Sequence, residues 1–255
     1  MRECTKKFPT AQGRHAKYPS DRFRTVNPLS GVLGEAWRMY RAHAGHLMTI
    51  AFVIYAVGTL VGVLLTSSLG LMGDLLALLV LVVSSALVQA ALVHAVHDIR
   101  DGRADLTLGA TVQAARPVVG RVAVASIVAG VAIGLGLVLL IFPGLILFTL
   151  WAVIVPVLVL ERAGVGACFG RSMELVRGHG WQVFGPLLAA HLALFASSIL
   201  VELALESFPD IVASTVGGLV TGTVVAPFVA LVVTLAYYRL RAAKGSVADD
   251  VPRQV

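Results

Sequence analysis

The chain has 255 residues, of which 58% are hydrophobic and 13% charged, and its mean hydropathy is +0.88. A soluble domain carries about a quarter charged residues, so this composition excludes an ordinary water-exposed surface. The formal charge of +6 would suggest nucleic acid in a soluble protein. Here we attribute it to Lys and Arg kept on the cytoplasmic side of a membrane, and we expect no nucleic-acid partner.

Three domain-level segments follow from composition. Residues 1–27 are basic, rich in Pro, Gly and Ser, and lack the apolar stretch of a signal peptide. We predict a flexible cytoplasmic tail there, either solvated or in contact with anionic lipid. Residues 28–240 form a six-helix transmembrane domain, which Asn27 as N-cap and Pro28 at the first helical position would open. Residues 241–255 are predicted to be a cytoplasmic C-terminal tail.

The elements alternate in chain order between short amphipathic helices and long apolar spans. The predicted fold class is therefore all-α: a polytopic membrane protein with six transmembrane helices and three cytoplasmic interfacial amphipathic helices. The predicted spans are 47–68, 75–97, 122–141, 145–160, 181–203 and 216–238, and the amphipathic segments are 28–40, 106–118 and 165–178.

The distribution of charge predicts the orientation. The proposed outer loops, 69–74, 141–144 and 204–215, contain no Lys or Arg. All 20 basic residues fall in the tails, in the inner loops or beside them. The positive-inside rule then places both termini in the cytoplasm. The expected localisation is the plasma membrane of a bacterium, because Arg, Ala, Val, Leu and Gly dominate the chain.

A threefold pseudo-repeat is possible. The order of one amphipathic helix and two spans occurs three times, and Arg41 and Gly45 recur as Arg116 and Gly120 with the same spacing. Each unit would begin and end on the same side of the membrane, as parallel repeats do. The alternative is that Arg and small residues are simply common where spans begin.

Two polar residues in the spans are candidates for a mid-membrane site. His191 lies near the middle of the fifth span and Gln89 lies in the second, and ionisable groups at such depth often serve function. The structural interpretation is a neutral imidazole hydrogen-bonded to Gln89 or Ser85. Pro156 should kink the fourth span or end its regular hydrogen bonding.

Five charged residues are candidates for contact with lipid or with a partner protein at the cytoplasmic face: Arg41, Arg116, Glu161, Arg171 and Arg177. Glu161 could hold the third amphipathic helix against the bundle through paired hydrogen bonds. The arginines could instead bind a phospholipid phosphate. We expect no catalytic residue, metal site or cofactor, since hydrolase, metalloprotease and nucleotide-binding motifs are absent from the sequence. Cys4 and Cys168 are too distant to suggest a metal site, and both are expected to stay reduced.

Residues 143–185 resemble a known family. The matching positions are Pro143-Gly144, Pro156, Glu161, Gly164, Ala167, Arg171-Ser172 and Val176-Arg177-Gly178. They are similar to the membrane domain that precedes the catalytic domain in some bacterial glycerophosphoryl diester phosphodiesterases, and to its stand-alone relatives. The resemblance implies a membrane fold without the phosphodiesterase reaction, because the catalytic barrel needs about 250 soluble residues.

The sequence thus favours a non-enzymatic integral membrane protein, a scaffold or lipid-associated module with membrane lipids and a possible cytoplasmic protein as partners. The alternative is a small multi-pass transporter or permease with a polar site at mid-membrane, which predicts a polar cavity around Gln89 and His191.

Overall fold

A computed structural model describes residues 29–100 and 108–249. This part of the chain is helical, without a β-strand. The predicted tail 1–27, the predicted cap at Asn27 and Pro28, and residues 250–255 lie outside it. The helices are α1 (Val32–Arg100), α2 (Leu108–Leu139), α3 (Ile141–Leu150), α4 (Ile154–Leu160), α5 (Val165–Val176), α6 (Gly180–Ala204) and α7 (Asp210–Asp249).

Helix α1 is interrupted at two residues. The backbone is non-helical at His43 and at Gly70, where φ is +53°, a value that glycine adopts without a steric penalty. A Cβ added to Gly58 would lie 2.3 Å from Ser84 Oγ, and one added to Gly73 would lie 2.1 Å from the carbonyl oxygen of Leu65. The segments on either side of Gly70 therefore pack against each other as an antiparallel hairpin.

A second hairpin joins α2 to α3. Leu140 is extended, with φ −156° and ψ 116°, and a Cβ on Gly136 would lie 3.0 Å from the backbone of Gly144. The amphipathic segment predicted at 106–118 is the beginning of α2, which continues through Pro117 without a break. Pro117 is exposed and does not end α2.

The predicted fourth span is broken. Helix α3 ends at Leu150, and α4 begins at Ile154. Pro156 has no N–H to donate to the carbonyl of Ala152, so the interruption falls one turn before the proline. Buried Ser172 of α5 donates a hydrogen bond to the carbonyl of Leu150 over 2.8 Å, which satisfies one carbonyl at the broken end.

Five helices of the described chain are long and apolar enough to cross a membrane: Val32–Arg100, Gly109–Leu139, Ile141–Leu160, Gly180–Ala204 and Thr215–Gly245. Many of their large apolar side chains face outwards; Val138 is 84% exposed and Phe142 is 78% exposed. Exposed apolar surface of this extent is typical of a surface that lies in lipid.

The core lies where α1, α2, α4 and α7 meet. Fully buried side chains include Leu92 of α1, Leu158 of α4 and Tyr237 of α7. Helix α7 continues past the predicted end of the last span at Tyr238 and into the predicted tail, as far as Asp249. Helix α6 packs mainly on α7 and less closely on α3, and its buried residues are confined to its first half.

Candidate functional site: a central cavity

The helices border a partly open cavity of about 430 Å³. Both arms of α1 contribute to its wall, as do α2, α3, α4, α6 and α7. A volume of this size falls in the range of small-molecule sites, about 300–1,000 Å³. Most of the wall is aliphatic, and no Asp, Glu, Lys or Arg of the described residues lines it. The polar lining residues are Tyr55, Gln89, Ser126, Trp151 and His191.

His191 lies in the cavity wall with one ring nitrogen engaged. Its Nδ1 is 2.8 Å from the carbonyl oxygen of Leu187, one turn earlier on the same helix. A carbonyl can only accept, so Nδ1 carries the proton, and in the neutral ring Nε2 is left as an acceptor. The ring of Phe148 contacts the imidazole edge-on, at 4.9 Å between centroids. The structure thus gives His191 a partner other than the expected Gln89 or Ser85.

Gln89 lies in the same cavity as His191 without bonding to it. Ser85 donates to the carbonyl of Val82 within its own helix. Among the described residues, the side chains of Gln89, Tyr55 and Ser126 have no hydrogen-bond partner. A polar side chain on a water-exposed surface would bond to water, but these three line a cavity between apolar helices. Their hydrogen-bonding capacity is therefore available to whatever occupies the cavity.

Trp151 lines the cavity with its ring, but its N–H does not face the accessible space. Its indole Nε1 is buried and has no acceptor within the part of the chain that the structure describes. Buried polar groups are nearly always paired, and each exception needs an explanation. Trp151 lies at the break between α3 and α4, where Ala152 also lines the cavity. Pro156 has no N–H, so it cannot donate a hydrogen bond to the Ala152 carbonyl at the same break.

The basic end of the bundle, which we define by Glu35, Glu161, Arg171, Tyr237 and Arg239, is built differently. Here the polar groups are paired with each other. Tyr237 is fully buried, and its hydroxyl donates to Glu161 Oε1 over 2.9 Å. Arg171 donates from Nε to Glu161 Oε2 over 3.1 Å and to Glu174 over 3.0 Å. These bonds to Glu174 and Glu161 raise the pKa of Arg171.

Further hydrogen bonds join separate segments of the chain at the basic end. Arg239 of α7 bonds to Glu35 and to the carbonyl of Ser30 at the beginning of α1. Lys244 donates to the carbonyl of Arg177 over 3.0 Å. Because these bonds span up to 209 residues of sequence, they fix the basic end of α7 against α1 and the loop after α5.

The structure separates the five charged candidates into two groups. Glu161 and Arg171 form the link between α5 and α7 described above. Arg41, Arg116 and Arg177 are exposed. The guanidinium of Arg41 lies over the ring of Trp37 at 5.6 Å. The first group docks helices, and the second remains accessible.

The comparisons with known proteins give no identification: no protein family, curated protein or solved structure matches this chain. The fold itself defines the class, an all-helical protein with helices that could span a membrane. The resemblance to the phosphodiesterase membrane domain stays an expectation.

Sequence reasoning missed three polar members of the cavity wall, Tyr55, Ser126 and Trp151. Tyr55 and Trp151 each have an aromatic ring with one polar atom and lie inside an apolar segment, which is the only signal that could have indicated them. Such residues usually occupy the membrane interfaces. Their position along predicted spans, far from the span ends, was the available clue.

Proposed function

We propose that this chain is a small multi-pass membrane protein of the permease type, which holds a small molecule in its central cavity. The observation that carries the proposal is the set of polar side chains with unused hydrogen-bonding capacity around one cavity between the helices: Tyr55, Gln89, Ser126 and His191. Unsatisfied polar groups inside a lipid-exposed bundle are costly. An occupant that bonds to them offsets this cost.

Six lipid-crossing segments fit the proposal, since α1 reverses at Gly70 and each of its two arms is long enough to cross. The even number places both termini on one side. Basic residues cluster at the end where Arg239 meets Glu35, which supports a cytoplasmic position for that end under the positive-inside rule. A bacterial plasma membrane remains the proposed location.

The broken fourth span supports a binding role as well. Transporters often form substrate sites at mid-depth from discontinuous helices whose freed backbone groups face the site. Here the break at residues 151–153 borders the cavity. No set of nucleophile, base and oxyanion donors accompanies it in the described residues, so the proposed role is binding and passage and not catalysis.

The test is to fill the cavity. Ala129 is 9% exposed and lines the cavity, so Ala129→Phe should occupy part of its volume. Ala132→Phe is the matched control on the same helix, three residues further on and outside the lining. Wild type and both variants are purified from native membrane, and mass spectrometry identifies the retained small molecules.

We expect one compound to be retained by wild type and the control and lost from Ala129→Phe. Melting temperature and gel-filtration profile show whether the variants fold. If Ala129→Phe does not, Ser126→Leu fills the same space. The same compounds in all folded variants would contradict the proposal.

A second candidate is the non-enzymatic scaffold or lipid-associated module, which the exposed arginines favour. Arg116 and Arg177 are exposed and could bind lipid phosphates, whereas Arg171 already bonds two carboxylates. The double variant Arg116→Gln, Arg177→Gln should then retain less anionic phospholipid in native mass spectrometry. Arg38→Gln, also at an exposed position, is the single-charge control. Unchanged retention in the double variant would count against this candidate.

A further inference from the structure

We infer that the cavity takes an uncharged molecule, apolar over most of its length and carrying at least one hydrogen-bond donor and one acceptor, such as a hydroxyl-bearing ester. The inference rests on the proposed function, because it names the ligand class of that site. Its basis is the chemistry of the wall, which combines an aliphatic lining with a few neutral polar groups.

The absence of charge in the lining is the first step. Among the described residues, no Asp, Glu, Lys or Arg borders the cavity, so an ion entering it would lose its hydration without gaining a counter-ion from these side chains. A charged group at this depth in a membrane is unfavourable even by the lowest insertion scales. Phosphates, carboxylates and ammonium compounds are therefore disfavoured relative to neutral molecules of the same shape.

The polar groups define what the neutral ligand must offer. The Nε2 atom of neutral His191 needs a donor, because Nδ1 already bonds to Leu187. Gln89, Tyr55 and Ser126 carry donors without a partner among the described residues, and these donors need an acceptor. A pure hydrocarbon would leave His191 and these three side chains unsatisfied. A hydroxyl or ester group can satisfy both kinds of need.

Trp151 provides the measurement, since it lies in the wall while Trp181 is 87% exposed. The variant Trp37→Phe, Trp181→Phe leaves Trp151 as the only indole. The variant Trp37→Phe, Trp151→Phe leaves Trp181 and reports simple partition into the bilayer. Both proteins are placed in nanodiscs and titrated with brominated ten-carbon probes, which quench indole fluorescence on contact.

Four probes share the brominated chain and differ in the head: a glycerol monoester, a carboxylate, a trimethylammonium and none. We expect the monoester to quench Trp151 saturably, at a concentration about tenfold below that of either charged probe. His191→Phe should weaken monoester quenching about tenfold and leave the headless probe unchanged. Trp181 should show only non-saturating quenching with all four.

Three results would overturn the inference. One is a charged probe that quenches Trp151 as well as the monoester, and another is a monoester titration unaffected by His191→Phe. The third is the absence of any quenching of Trp151 beyond that of Trp181. The proposed function is judged separately by the compound retained from native membrane. If the compound retained from native membrane is an anion, the cavity is still a binding site. Only the inference that its ligand is uncharged is then rejected.

Discussion

The basic end and the central cavity use polar side chains in opposite ways. At the basic end Glu161 accepts from Tyr237 and from Arg171, so that α5 is fixed to α7. In the cavity Gln89, Tyr55 and Ser126 have no partner among the described residues. Paired groups stabilise the fold, and unpaired ones are available for a ligand. The two regions should therefore respond differently to the same kinds of substitution.

The largest expected difference concerns the packing of α5 at the basic end. Cys168 is fully buried, its thiol donates to the carbonyl of Val165 over 2.9 Å, and burial raises its pKa. Less of Cys168 is then thiolate at pH 8 than for a thiol with the ordinary pKa. Its rate of reaction with maleimide should increase only as the pH rises further. In a Cys4→Ser background we expect maleimide to modify Cys168 about 100-fold more slowly than an exposed thiol.

The matched control for this experiment is the neighbouring exposed position. Ala167→Cys, combined with Cys168→Ser in the same background, presents a thiol on the exposed side of the same turn. Mass spectrometry follows the rate for each protein in detergent. Equal rates at positions 167 and 168 would mean that α5 is not held against the bundle.

Removing the shared acceptor at the basic end should have the next largest effect. Glu161→Gln removes the charge that Arg171 contacts and leaves one oxygen to accept from buried Tyr237, at an expected cost of about 2 kcal/mol of stability. Glu174 is 67% exposed, so Glu174→Gln should cost no more than about 0.5 kcal/mol. Denaturant titration in detergent compares the two, and equal costs would show that Glu161 is not the central acceptor.

Two tyrosines test the comparison with the same single-atom change. Tyr237→Phe deletes a hydroxyl that bonds to Glu161 and should cost about 1 kcal/mol. Tyr55→Phe deletes a hydroxyl without a partner at the cavity wall, and its stability should stay within about 0.3 kcal/mol of wild type. Thermal melting measures both. A greater loss for Tyr55→Phe would reverse the contrast between the two regions.

The sequence predicted part of this architecture. Apolar runs predicted the helices, and Pro156 predicted the break, because proline removes one specific N–H. The spacing of Cys168, Ser172 and Val176 placed them on one face of α5, and all three are buried. Each of these features depends on residues close together in the chain, so it can be predicted from one segment of the sequence.

The remaining features depend on residues far apart in the chain. Tyr237 and Glu161 are 76 residues apart, and no periodicity indicates that they touch. The cavity arises because six helices leave space between them, and that space is a property of their packing. Gln89 and His191 could be selected as polar residues within spans, but their hydrogen-bond partners could not be predicted.

One further substitution should separate the two regions by the sign of its effect on stability. Gln89→Leu removes an amide that has no hydrogen-bond partner among the described residues and adds apolar surface to an apolar wall. Because no bond is lost, the ligand-free protein should be as stable as wild type or more stable by up to about 1 kcal/mol. Thermal melting after removal of bound small molecules measures this change, and retention of the native compound is followed in parallel. Stability maintained together with weaker retention is the expected result. A loss above about 1 kcal/mol in the ligand-free protein would mean that Gln89 supports the fold, and the cavity would then resemble the basic end.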